Sequence, residues 1–213
     1  MQALFEKISE ALIEGNGEQI EKLTQQALDG GAKAGEILGK GLIPGMEVIG
    51  KRFKVCEIFI PEVLLSAKTM HAAIKILKPL LSEKETIGSG TVLMGTVQGD
   101  LHDIGKNLVG MMLEGAGFRV VDLGVDVKPL AFVDAVKKHK ADILGMSALL
   151  TTTMTKMEET IKALQEAGIR KQIKVMAGGA PITQDFVEMI GADAYGANAS
   201  IAVEKAKELI AQK

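Results

Sequence analysis

Asp100 and His102 stand two residues apart in Val97-Gln98-Gly99-Asp100-Leu101-His102-Asp103-Ile104-Gly105-Lys106-Asn107. At that spacing an irregular loop can bring the carboxylate against the imidazole. A carboxylate that takes the proton of one ring nitrogen fixes the tautomer and leaves the other nitrogen free to coordinate a metal. Gly99 and Gly105 permit backbone angles and close approaches that a β-carbon would block. The same residues also fit a plainer role, a solvated loop histidine beside acids, with Asp103 and Asn107 starting a helix. Taken alone, the segment admits both.

Two other segments carry polar or glycine-rich chemistry. Met146-Ser147-Ala148-Leu149-Leu150-Thr151-Thr152-Thr153-Met154 places four hydroxyls within seven residues. They suit the wall of a polar pocket or the N-terminal cap of a helix. Ala177-Gly178-Gly179-Ala180-Pro181 pairs two glycines, as a backbone lying flat against a ligand or phosphate requires, or as a plain tight turn does. There is no Walker lysine motif, and the glycines near Gly99 lack dinucleotide spacing.

The elements that must position these segments have two rhythms. Up to about residue 80 the periodicity is helical. Leu4, Ile8, Leu12 and Ile13 share one face, and a turn follows at Gly15-Asn16-Gly17. A second helix spans Glu18 to Leu28; a third starts near Ala34 and is expected to break around Pro44-Gly45 before Met46 and Ile49. A fourth begins at Pro61, a residue suited to a first helical turn, and carries Leu64, Leu65, Ala67, Met70, Ala73 and Ile74. Short connections predict a bundle of four or five helices over residues 1–85. Ser82 to Gly90 is polar and glycine-containing and marks the predicted boundary.

Over 90–213 short β-branched runs alternate with helices. The predicted strands are Thr91–Val97, Arg119–Leu123, Ile143–Ala148, Lys174–Ala177 and a weaker one at Ala192–Tyr195; the helices are Asn107–Gly115, Pro129–His139, Met154–Ala167, Ile182–Ile190 and Ile201–Ala211. Strands apolar on both faces, each followed by a helix, specify an α/β domain, a Rossmann-like (flavodoxin-like) doubly wound parallel sheet. Such sheets bind ligands beyond the carboxyl ends of their strands. All three segments fall there, after the first, third and fourth strands.

Composition removes several function classes. A net charge of −2 offers no footprint for nucleic acid or anionic lipid, and with no Trp and 3% aromatics there are few rings to stack on bases. A single cysteine, Cys56, excludes an internal disulfide and suits a reducing cytoplasm. No apolar run reaches the roughly 18–20 residues that span a bilayer. Glu6 and Glu10 interrupt the first apolar run, which reads as an amphipathic helix rather than a signal peptide.

Gly99-Asp100-Leu101-His102-Asp103-Ile104-Gly105 resembles the Asp-x-His-x-x-Gly signature of cobalamin-binding proteins of the methionine synthase type. Ser147-Ala148-Leu149-Leu150-Thr151 resembles that family's Ser-x-Leu segment, and Gly178-Gly179 its paired glycines, in family order. Phe59-Ile60-Pro61-Glu62-Val63-Leu64-Leu65-Ser66-Ala67-Lys68-Thr69-Met70 is similar to the last helix of its helical cap. With no barrel attached, the chain looks like the stand-alone corrinoid proteins of methylamine, methanol, betaine and methoxyaromatic methyltransferase systems.

The resemblance implies a cobalamin (corrinoid) cofactor, with His102 replacing its nucleotide base as lower ligand to cobalt. Asp100 would hydrogen-bond the far nitrogen of His102, and Thr153 would extend that relay. Asp103, Ile104, Gly105, Ser147, Leu149, Thr151, Gly178 and Gly179 would line the cofactor and its displaced tail. Phe59, Leu64 and Met70 would cover the upper face, although apolar residues at helical spacing also suit ordinary bundle core. Implied partners are a substrate-specific methyltransferase, an acceptor methyltransferase of coenzyme M or tetrahydrofolate type, and a reductive activating protein. The chain would then be a carrier without turnover of its own. A cobalamin-dependent sensor would ordinarily add a basic DNA-binding domain, and a mutase subunit a partner barrel in place of the cap. A flavodoxin-like nucleotide binder leaves Asp100-Leu101-His102 unexplained.

Overall fold

Apolar residues three and four apart force the first eighty residues into helices with one buried face. The computed structural model describes residues 1–81 and 89–212. In it α1 (Gln2–Ile13) buries Phe5, Ile8, Ala11 and Leu12, and α2 (Gly17–Asp29) buries Ile20, Thr24 and Ala27. Asn16 caps α2, its side-chain oxygen accepting the Gln19 N–H at 3.1 Å. Each fully buried Ile or Leu contributes about 1.5–3 kcal/mol.

The expected break at Pro44 is absent. α3 (Ala34–Ile37) passes through a π-helical turn, Leu38–Leu42, directly into α4 (Ile43–Lys54). Proline lacks the N–H that an α-helix would offer the carbonyl four residues earlier. The wider turn ahead of Pro44 absorbs that loss, and Pro44 enters the first turn of α4, where the missing donor costs little. Then α5 (Ile60–Leu77) buries Val63, Ala67, Met70, Ala73 and Leu77 on one stripe. Glu62 accepts the Phe59 N–H at 3.1 Å at its start, and Pro61 lies in the first turn as its chemistry predicts. The expected boundary segment, Ser82–Gly90, lies outside the described residues up to Gly88.

The remainder is a five-stranded parallel sheet in the order β2-β1-β3-β4-β5. Its strands are β1 (Thr91–Thr96), β2 (Arg119–Asp122), β3 (Ile143–Ser147), β4 (Lys174–Gly178) and β5 (Ala194–Gly196). The helices between and after them are α6 (Ile104–Gly115), α7 (Pro129–His139), α8 (Thr155–Glu166), α9 (Gln184–Ile190) and α10 (Ala199–Ala211). β1 is buried along its whole length and edge strand β2 is not, as the apolar density of Thr91–Thr96 against Arg119–Asp122 requires. This Rossmann-like, flavodoxin-like order reverses between β1 and β3, the switch point where such sheets open a ligand crevice. The two segments richest in chemistry, after β1 and after β3, flank that point.

Sheet and helix meet closely enough at Gly95 to exclude a side chain. A β-carbon there would sit 2.5 Å from Cε1 of Phe132, a ring on α7 with no exposure. Gly95→Ala is expected to cost about 1–3 kcal/mol through overpacking. In urea unfolding, Gly95→Ala combined with Phe132→Leu should cost less than the two single changes added.

Candidate functional site

The site is assembled around one carboxylate. Asp100 has no solvent exposure and receives five hydrogen bonds. Oδ1 accepts from His102 Nδ1 at 2.7 Å and from the His102 N–H at 3.1 Å. Oδ2 accepts from the N–H groups of Leu149 (2.8 Å) and Leu150 (3.2 Å) and from the Thr153 hydroxyl at 2.7 Å. Burial by itself raises the Asp100 pKa, but the bonds from Thr153, Leu149 and His102 outweigh it and hold the carboxyl well below the usual range. Asp100 is therefore a carboxylate wherever an imidazole titrates.

A carboxylate only accepts, so the neutral ring of His102 carries its proton on Nδ1. Nε2 keeps its lone pair and has no protein partner among the described residues. The His102 side chain is 52% exposed, open to an incoming ligand. No group of three or more His, Cys, Asp or Glu that could hold a bare metal ion occurs among the described residues. One presented nitrogen instead fits a metal that brings its other ligands with it. The surroundings agree: Leu101 (71% exposed) and Ile104 (80%) flank His102 in sequence, Val125, Leu149 and Leu150 are exposed in the loops after β2 and β3, and Leu130 is exposed in the first turn of α7. This apolar rim at the carboxyl edge matches a broad, flat, mostly apolar group far better than a small polar substrate.

Of the predicted residues, the structure brings Asp100, His102, Thr153 and the Leu149 backbone into one network. Asp103 is joined to Asn107, whose side-chain amide donates to it at 3.0 Å across the first turn of α6. Thr153 does not cap α8; its hydroxyl serves Asp100. Ser147 gives its backbone carbonyl to Val97 N–H at 3.0 Å, and Thr151 is exposed on the same loop. Gly105 is exposed, and a β-carbon on it would meet nothing within 4 Å. No contact among the described residues requires glycine there. At Gly178 and Gly179 the protein does: β-carbons would lie 2.7 Å from the Gly196 carbonyl oxygen and 1.8 Å from that of Ala148. In the helical unit Phe59 is 64% exposed, whereas Met70 is core.

Sequence reasoning passed over the end of β2 and the loop after it. Asp122, Gly124 and Asp126 all bond the His102 segment or its flanks, and Lys106 of α6 pairs with Asp122. The two turn-forming residues Gly124 and Asp126 were the available signal.

Fold and site suit the binder of a metal held in a macrocycle, and comparison with known proteins gives the class as cobalamin-binding. Residues 90–204 match a B12 binding domain family and residues 4–78 a second B12 binding domain family. The chain belongs to the B12-binding corrinoid proteins, and its cofactor is cobalamin. It is 43% identical over 206 residues to the trimethylamine corrinoid protein of Methanosarcina barkeri, covering 96% of this chain and 95% of that one. It is 42% identical over 210 residues to the dimethylamine corrinoid protein of the same organism, 98% of each chain. Among solved structures it superposes, with TM-score 0.91 and 34% identity, on a chain of the methanol:cobalamin methyltransferase complex MtaBC from Methanosarcina barkeri. That match covers 99% of this chain and 81% of that one.

Removing one donor from Asp100 should be costly. Thr153→Val is expected to lower stability by about 1.5–3 kcal/mol, the worth of a hydrogen bond to a charged group. Because the folded pKa of Asp100 is depressed, its stabilisation is complete above the ordinary carboxylate value of about 3.9 and is lost only as pH falls through the folded value. Urea unfolding should show a constant gap between parent and variant from about pH 5 to 8, closing only in strong acid.

Proposed function

We propose that this chain carries a methyl group between partner enzymes on cobalamin whose nucleotide base is displaced, with His102 as the protein ligand to cobalt. The observation that carries this reading is the buried Asp100 carboxylate, 2.7 Å from His102 Nδ1, which leaves Nε2 available. When bound, cobalamin supplies the cobalt that accepts a methyl group from a donor and passes it on. The residues of the chain do the rest. Asp100 holds the Nδ1 proton and so sets how strongly Nε2 donates, while Thr153 and the Leu149 and Leu150 N–H groups hold Asp100. Leu101, Ile104 and Leu149 would exclude water around His102 Nε2 when the cofactor is bound. The displaced tail is assigned to Gly105, whose glycine no internal contact explains, and to Ser147, Thr151 and the Gly178-Gly179 turn.

We assign the methyl donor to a separate substrate-specific methyltransferase; the relatives bear the names trimethylamine and dimethylamine corrinoid protein, and the neighbouring structure is a methanol methyltransferase complex. A second methyltransferase, of coenzyme M or tetrahydrofolate type, would take the group away, and a reductive protein would rescue oxidised cobalt. The helical region 1–85 and the sheet region 90–213 are assigned as separate domains. No helix among the described residues is long and apolar enough to cross a membrane, which suits a carrier working in the cytoplasm.

The test is electron paramagnetic resonance of the Co(II) form of the full chain reconstituted with hydroxocobalamin. Parent protein with ¹⁵N-labelled histidine should show the changed axial-nitrogen splitting, and His102→Ala should lose it. An identical splitting in parent and His102→Ala would overturn the assignment.

A further inference from the structure

His102 is reached by two sets of bonds, and only one is the Asp100 network. The other runs through Thr96 to the end of β2 and the loop that follows it, residues 122–127. Thr96, buried at the end of β1, donates its hydroxyl to the His102 carbonyl at 3.0 Å and its N–H to the Gly124 carbonyl at 3.0 Å. Gly124 in turn donates its N–H to Asp122, the partner of the buried Lys106 ammonium. Asp126 closes the arrangement. Its Oδ1 accepts the Gly99 N–H at 2.7 Å, and its own N–H donates to the Asp100 carbonyl at 3.0 Å. The two segments therefore exchange bonds at Gly99 and Asp100.

Asp126 holds this position at φ +53°, a left-handed conformation that L-residues other than Asn and Asp rarely adopt. Gly99 opposite it is also at positive φ, +82°. Asp126 is thus held in a conformation that disfavours most side chains, by bonds exchanged between the two segments, a pattern that belongs to sites where geometry is over-determined. Leu149, Leu150 and Thr153 hold the Asp100 carboxylate; nothing in that group holds the backbone from which Asp100 and His102 project. Asp126 does.

We infer that Asp126 is a positioning residue for cobalt ligation, setting the backbone of the Gly99–His102 loop so that His102 presents Nε2. The inference rests on the proposed His102 ligation, and three substitutions separate its parts. Asp126→Asn keeps both an acceptor oxygen and tolerance of positive φ. Asp126→Gly keeps the backbone conformation and removes the acceptor. Asp126→Ala removes both.

Two measurements on the full chain decide it. In the cobalamin-free protein, hydrogen exchange of the Gly99 and Asp126 amides should quicken about tenfold or more in Asp126→Gly and Asp126→Ala but stay near parent in Asp126→Asn. In the hydroxocobalamin-loaded Co(II) form, the ratio of nitrogen-coupled to uncoupled signal should fall about tenfold in the same two variants, the usual scale for a residue that orients a metal ligand, and be restored in Asp126→Asn. Matching thermal midpoints for Asp126→Gly and Asp126→Asn would exclude a general loss of fold as the cause. Equal exchange and equal signal ratios in Asp126→Gly and Asp126→Asn would overturn the role of Asp126. Should the parent itself show no nitrogen coupling, the proposed ligation fails, and the exchange rates of the cobalamin-free protein still decide whether Asp126 sets the loop.

Discussion

A single negative charge, buried without exposure and satisfied by five donors, is the constraint on which the site depends. An unpaired carboxylate in that position would be prohibitive to bury. The donors come from two loops that are 49 to 53 residues apart in sequence. The carboxylate can stay buried only if those loops meet, and they meet only if β1 and β3 lie side by side. Fold and ligand geometry are thereby tied: an error in strand order would leave Asp100 with nothing but His102.

The sheet supplies that neighbourhood through its order. Because β1 is followed by β2 on one side and β3 pairs on the other, the loops leaving β1 and β3 diverge in connection while remaining adjacent. The crevice between them is where the apolar rim of Leu101, Ile104, Leu149 and Leu150 gathers. Exposed apolar residues at a carboxyl edge are a liability for an isolated domain and an asset for one that seats a large macrocycle. The same edge thus carries a nitrogen with a lone pair, a proton relay behind it and an apolar surface around it.

Much of this was legible from residue order. The alternation of β-branched runs and helical stretches predicts all five strands to within two residues at every end, because buried parallel strands leave little freedom in composition. The Asp100-x-His102 spacing carries the relay, since two residues is short enough for local geometry to settle the contact. The hydroxyl run was ambiguous, and only the register of β1 against β3 shows that Thr153 serves Asp100 rather than α8. Pro44 misled because a proline signals a break, whereas a π-helical turn lets the helix continue. The loop after β2 was illegible for a different reason. Asp126 is held by its backbone angle and two long-range bonds, and none of these leaves a periodic trace in sequence. The paired glycines look ligand-facing in sequence; close backbone approach to Ala148 and Gly196 already demands them.

The central claim is that Asp100 fixes the His102 proton on Nδ1 and leaves Nε2 as the donor atom. Long-range ¹H–¹⁵N correlation spectra of ¹⁵N-histidine protein, free of cobalamin and at a pH where the ring is neutral, test it most directly. The account predicts a protonated Nδ1 and an unprotonated Nε2 for His102 in the parent, with that preference lost in Asp100→Ala. A His102 ring protonated on Nε2 in the parent, or the same tautomer with and without Asp100, would contradict it.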